Sequence, residues 1–559
     1  FLDGGSDIPA LVREAARYGA PALALTDHNS LCAAVKFTSA CEAYGIRPIL
    51  GAEITLKKGT FYGSGDSRRS ADEEAADDED HLTLLARNRS GYAVLCTIIT
   101  EAYRDGDRLA PRLSWEKLRA LACPDLICLS GCRKGRIASL VRRRHEEEAG
   151  KVVRMLQELF GRDNFYIELQ DDLTPDSARI CADLARLADS TGAGVAATNN
   201  VHHAIREDFV AHDVLRCIAA GIHMDEPHPL RPLNAERYLK SPEEMAALFA
   251  WRPDALANTV RIAEQCESCL PRQEEITPAF AVPEGHTASS YLREMAYRGA
   301  KARFGELSPV VVQRIEHELI VINEMGYADY FLMVWDIVRW ARKQGIRCTG
   351  RGSAADCCVA YCLFLTDVNV IRRNLPFARF LSPGRTPDID MDFPSERRDE
   401  IFRHIIEKYG GDHVGMVCTF FTFWARSAVR DVGKVLDLPP DAVDFLAKRL
   451  HHSVSADKIE AAFEHYAELK PHRRLIDRFR LLFDLCGRIA GFPRHIGTHS
   501  SGVVISAVPL HTIAPMQPSA RGIAPIWTLD KDDAEEVGAI KFDVLSLRAL
   551  SAVADAEAQ

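Results

Sequence analysis

The chain has 559 residues, a formal net charge of −10 and 47% hydrophobic residues, enough for several domains with sizeable cores. No apolar run reaches membrane-spanning length, no signal peptide is visible, and the overall charge does not advertise nucleic-acid binding. Most of the 16 cysteines lie in apolar segments, as Cys357, Cys358 and Cys362 do, which fits a reduced cytoplasmic compartment better than a disulfide framework. Cys266 and Cys269 form a lone pair with no second pair at zinc spacing. The sequence begins at Phe1 rather than Met and ends in a helical pattern, so a fragment of a longer protein is expected.

Residues 1 to about 60 alternate helix and strand. The pattern predicts a helix over 8–18, a strand over 22–26 ending in Thr26-Asp27-His28-Asn29, a helix over 32–44, and a strand over 48–56 carrying Glu53. Later strands repeat the theme. His81 opens one, residues 126–130 precede Gly131-Cys132, and residues 194–197 precede Asn200, His202 and His203. Strand ends bearing Asp, His and Glu are where β/α barrels place chemistry. Residues 63–80 are polar and of low complexity, and read as a disordered loop.

A Pro-containing connection over 271–286 reads as a domain boundary, after which helices dominate, including 308–325 and 331–344. Next comes a short strand over 346–348, a Gly-Arg-Gly-Ser turn, and a helix over 354–365. Gly350 and Gly352 permit close backbone approach to a ligand, and Ser353 can cap the helix or bind a phosphate. A strand follows with Asp388, Asp390 and Asp392 at every second position, hence on one face, and Ile389, Met391 and Phe393 on the other. Three like charges in a row make sense if a divalent cation neutralises them, and oxygen ligands suit Mg²⁺. Residues 395–409 read as a helix, 414–423 as a strand, 426–490 as helical, and 499–506 as a return to the sheet. A further acid, Asp543, sits in the alternating strand around Lys541-Phe542-Asp543. A phosphate cradle with a carboxylate metal site is suited to two-metal phosphoryl or nucleotidyl transfer.

The stretches GRGSAADCCVAYCLFLTD, FARFLSPGRTPDIDMDF and GAIKFDVLSLRAL resemble the palm of the bacterial C-family DNA polymerases, the DNA polymerase III alpha subunits of the replicative or error-prone branch. The resemblance covers nearly the whole chain. It implies a multidomain α/β protein: a PHP β/α barrel over 1–270, a polymerase-beta-like α+β palm over 271–425 and 499–559, and a helical thumb inserted over 426–498. Fingers and later domains would follow Gln559. It further implies that Asp388, Asp390 and Asp543 are the catalytic, metal-binding acids, with Mg²⁺ or Mn²⁺, and Asp392 a flanking acid. Arg351, Gly352, Ser353, Lys541, Arg379 and Arg385 would face the nucleotide phosphates. Primer–template DNA, deoxynucleotides, a sliding clamp and other replisome subunits are the implied partners, with no membrane.

In the N-terminal region, Asp3, His28, Glu53, His81, Cys132 and His202 match the metal-site positions of the PHP phosphoesterase domain, where Zn²⁺ is left open. Two departures weaken that site. The leading His-x-His of the family would precede Asp3 and is not in the sequence, and Asn200 replaces the Asp of the last Asp-x-His. The alternatives to a polymerase are therefore a PHP-type phosphoesterase or 3′–5′ exonuclease, and a non-catalytic DNA- or clamp-binding scaffold.

Overall fold

The computed structural model describes residues 1–57, 79–273, 276–381 and 387–558. The chain forms two compact units, Phe1–Leu270 with Phe420–Gly497, and Pro271–Thr419 with Thr498–Gln559.

The first unit holds a six-stranded sheet in sequence order: β1 (Ala22–His28), β2 (Arg47–Lys57), β3 (Glu79–Ala86), β4 (Leu126–Leu129), β5 (Phe165–Gln170) and β6 (Gly194–Thr198). β3 runs antiparallel to both neighbours, while β1–β2, β4–β5 and β5–β6 are parallel pairs. The near-continuous apolar runs of β2 and β4 fit strands buried on both faces. Ile54, Leu84, Cys128 and Ile167 pack with Phe37, Leu95 and Phe160 from the surrounding helices. Helix Ile8–Arg17 starts cleanly because the Asp7 carboxylate accepts from Ala10 N–H and a proline occupies its first turn. Asp3, ahead of that helix, contacts His28 at the end of β1 and His202 just beyond β6, so the sheet curls until its two edges meet at one end.

Five helices of four or more residues lie in the later segment of this unit, Phe420–Gly497: Ala425–Val435, Pro440–Arg449, Ile459–His465, Leu475–Arg478 and Arg480–Arg488. Their apolar faces share a core with Val214 and Leu215 of helix Phe209–Ala220, around Val429, Val432, Phe463 and Phe483.

The second unit is organised by a seven-stranded sheet of β7 (Thr349–Arg351), β8 (Asp390–Phe393), β9 (Val414–Thr422), β10 (Pro493–Ile505), β11 (Met516–Gln517), β12 (Ile526–Trp527) and β13 (Lys541–Ser546), in the order β11-β12-β9-β10-β13-β8-β7. Strand alternation sends Ile389, Met391, Phe393 and Val544 into a core with Phe331, Val334 and Ile337 of helix Ala328–Lys343. Among the described residues, no helix is long and apolar enough to cross a membrane.

Several local expectations change. The first strand lies at Thr349–Arg351 rather than 346–348, and Asp388 precedes β8 instead of belonging to it. The helix expected over 354–365 is a 3₁₀ turn, Gly352–Asp356, followed by a helix of only five residues, Cys358–Cys362. Cys357, in extended conformation, separates the two and caps the second. Ser353 therefore caps no α-helix. The helix after β8 begins at Arg398, not at Ser395. Of the expected loop over 63–80, residues 63–78 lie outside the described residues, and Glu79 and Asp80 open β3.

Candidate active sites

β8 lies between β7 and β13, and its register builds the first site. Asp390 pairs with Asp543 on the parallel side and with Arg351 on the antiparallel side. Asp388 joins from the segment just before the strand. Ligand oxygens of Asp388, Asp390 and Asp543 all lie within 4.8 Å of one another. Their burial is graded: Asp543 is buried, Asp390 half-buried and Asp388 exposed.

The Lys541 ammonium bridges two of the acids, 3.1 Å from Asp388 Oδ1 and 2.5 Å from Asp543 Oδ2. Ser501 Oγ donates to the other Asp543 oxygen at 3.1 Å. Beneath them, the buried Tyr330 hydroxyl donates to the Lys541 carbonyl and accepts from Ile389 N–H. Burial, then repulsion from Asp388 and Asp543, pushes the Asp390 carboxyl up to about 6. Burial pulls the Lys541 ammonium down, but Asp543 and Asp388 outweigh it and raise it. One ammonium thus stands among three carboxylates. It serves as a stand-in for positive charge, and the all-oxygen donor set fits hard divalent cations.

The third alternating acid does not join the group. Asp392 is buried, with Oδ1 3.3 Å from Arg351 Nε. Gly352 has φ +65°, and a Cβ there would come 3.2 Å from Asp390 Oδ2, so the turn hugs the acid in a conformation that favours glycine. Ser353 is half-buried in the 3₁₀ turn. Arg379 is exposed and reaches Asp356 of the same turn, with Nε 3.6 Å from Oδ2. Arg385 lies outside the described residues. The helix N-terminus that the sequence offered to a phosphate is already occupied. Glu318, fully buried, accepts from Val359 N–H at 2.8 Å and from Cys357 Sγ–H at 3.1 Å. The donors left for an anion belong to the 3₁₀ turn and to Arg351.

Sequence reasoning passed over Tyr330, Ser501 and His499. The last was legible only as an imidazole three residues before a glycine in His-Ser-Ser-Gly.

The second site lies where the edges of the first sheet converge. His28, Glu53 and His81 form one cluster, and Asp3, His202 and His212 another. Glu53 Oε1 is 2.7 Å from His28 Nδ1 and 2.6 Å from His81 Nδ1. Cys132 Sγ lies 3.5 Å from His81 Nδ1. Asp3 meets His28 Nε2 at 3.1 Å, His202 Nε2 at 3.7 Å and the Arg216 guanidinium at 3.5 Å. Burial opposes charge on His28, yet its bonds to Asp3 and Glu53 win and hold its proton up to about 10. His202, burdened by burial, is instead lowered to about 4. Asn200 has φ +45° and turns its carbonyl to His202 Nδ1 at 2.7 Å. The structure thus gathers all six sequence-selected positions. It adds His212 and Arg216 from one helix, one turn apart, which strand-end reasoning could not find.

Two candidate metal centres on two separate sheets define a two-domain α/β chain. Residues 1–172 match the PHP domain, and residues 290–546 match the bacterial DNA polymerase III alpha NTPase domain. The chain is 43% identical to an error-prone DNA polymerase of Symbiobacterium thermophilum, over 100% of this chain and 51% of that protein. It is 35% identical to the DNA polymerase III subunit alpha of Treponema pallidum and 34% to that of Escherichia coli, in each case over 99% of this chain and 47% of the relative. The chain thus carries a PHP domain and a bacterial DNA polymerase III alpha NTPase domain, and along its length it is similar to DNA polymerase III alpha subunits and error-prone DNA polymerases. It spans about half the length of the curated relatives it matches.

Proposed function

We propose that the protein is a DNA-directed DNA polymerase that adds deoxynucleotides to a primer 3′-OH, with Asp388, Asp390 and Asp543 as its catalytic acids. The observation that carries this reading is the register of β8 against β13, which sets Asp390 beside Asp543 while Asp388 closes the group within 4.8 Å. Mg²⁺ or Mn²⁺ held by these acids would activate the primer hydroxyl and offset the charge that builds on the reacting phosphate.

The chain's own residues do the rest. The rigid pairing of β7, β8 and β13 fixes the carboxylates relative to the Gly352 turn. Ser501 orients Asp543, and Lys541 limits the repulsion among the acids until substrate arrives. Arg351, about half exposed, and the 3₁₀ turn offer donors to the nucleotide's triphosphate. Arg379 lies at that turn as a further positive charge. Positioning of this kind is where much of the rate of phosphoryl transfer arises. Primer–template DNA, deoxynucleotides, a sliding clamp and other replisome subunits are the partners this reading brings with it, in the cytoplasm.

The direct check on the acids is calorimetric titration of Mg²⁺ and Mn²⁺ into the wild type and into the Asp388→Asn, Asp390→Asn double variant. Binding should be lost in the variant. Equal binding by both would remove the assignment.

A further inference from the structure

His499 stands beside the acids with one nitrogen committed and the other unused. Its Nδ1 accepts from Gly502 N–H at 2.9 Å and from Ser501 N–H at 3.4 Å, closing a turn within β10 as an Asx side chain does. Two amide donors on Nδ1 place the proton of the neutral ring on Nε2. Among the described residues, Nε2 has no protein partner.

The ring's location follows from Gly502. A Cβ on that glycine would lie 3.0 Å from His499 Nδ1 and 2.8 Å from Lys541 Cδ, so imidazole and lysine stem share the space above it. Gly502 is also the register partner of Asp543, and Ser501 holds the Asp543 carboxylate. The charged groups around the ring are Asp543 and Asp388, Lys541 and Lys531.

We propose that His499 is a substrate-binding residue whose Nε2–H donates to a non-bridging phosphate oxygen of the incoming nucleoside triphosphate. The proposal rests on the polymerase reading above. A base for the primer hydroxyl would need an unprotonated nitrogen, and the free one carries the proton. A neutral N–H donor next to Lys541 suits an anionic oxygen instead. The same bond would hold pyrophosphate as it leaves.

The test separates the two nitrogens. His499→Asn offers an acceptor near the Nδ1 position but lacks the donor. His499→Gln carries a donor near the Nε2 position but loses the turn. In the intact protein, steady-state extension is measured against nucleotide concentration, pyrophosphorolysis against pyrophosphate concentration, and primer–template affinity by fluorescence anisotropy. His499→Asn should raise the nucleotide KM roughly tenfold, the loss of one hydrogen bond to a charged group. It should raise the pyrophosphate KM in parallel and leave primer–template affinity unchanged. His499→Gln should recover part of both. Unchanged KM values in His499→Asn, or equal impairment of the two variants, would overturn the proposal. Asp390→Asn serves as the control: if it is inactive while His499→Asn is normal, only the role of His499 fails, and if it extends primers normally, the reading of the whole site fails with it.

Discussion

Burial and two neighbouring carboxylates hold the Asp390 proton up to about 6, against an ordinary 3.8. Between those values the folded state binds more protons than the unfolded state. Stability therefore falls as pH rises through that window and stays lower above it. Removing the charge should help the fold and harm the function. In chelator at pH 8, Asp390→Asn should melt higher than the wild type, by on the order of 2–4 °C. The gain should shrink toward pH 5, where the acid is already protonated, and should vanish when Mg²⁺ stabilises only the wild type. Scanning calorimetry across pH checks this, and an unchanged or lower melting temperature at pH 8 would contradict it. The alternation of Asp388, Asp390 and Asp392 was legible in the sequence; their division of labour was not. Asp392 sits at the correct period, but Arg351, across the β7–β8 pair, takes it out of the group. Only the pairing of strands shows that.

At the scale of elements, the apolar alternation of β8 and β13 could be read directly, and so could the helices on either side. The end of an element was harder to read where a distant side chain sets it. The run over 354–365 has helical composition, yet its helix is cut to Cys358–Cys362 and capped by Cys357. Glu318, from the earlier helix Pro309–Glu324, supplies the acceptor for the Val359 amide and also accepts from Arg314 Nε at 2.5 Å. A helix N-terminus stabilises negative charge, and here the protein provides the charge itself. Glu318→Ala would leave the Arg314 guanidinium short of its partner and the Val359 amide unsatisfied in the core. It should destabilise the second unit by about 3 kcal/mol, and Glu318→Gln, which keeps an acceptor, by less. Urea unfolding of both variants decides it. Equal, small losses would show that Glu318 is not what terminates the turn.

At the scale of the molecule, the two units carry two clusters of quite different character. In the second unit, carboxylates exceed positive charge. In the first, Asp3 already faces the charges of His28 and Arg216, while His202 beside it is neutral. The fold of the first unit was legible from its alternating helices and strands. The neutralisation of Asp3 was not, because Arg216 comes from a helix far along the chain. With the palm acids substituted, the protein should hydrolyse a 3′-mismatched primer only at background in Mn²⁺ or Zn²⁺. Robust cleavage that is lost in His28→Ala would show an active barrel site.

The central claim is that Asp388, Asp390 and Asp543 run nucleotidyl transfer, and Asp390, paired in register with Asp543, bears on it most directly. The decisive measurement is gel-based primer extension by the intact protein and its Asp390→Asn variant, with primer–template affinity measured in parallel. Extension should fall by at least roughly a thousandfold, an effect of the size seen when a charge acting on the transition state is removed. Affinity for the primer–template should hold, because contacts from donors and cations to phosphates position the DNA, and a carboxylate offers a phosphate neither. Extension by Asp390→Asn at a rate near that of the wild type would contradict the account.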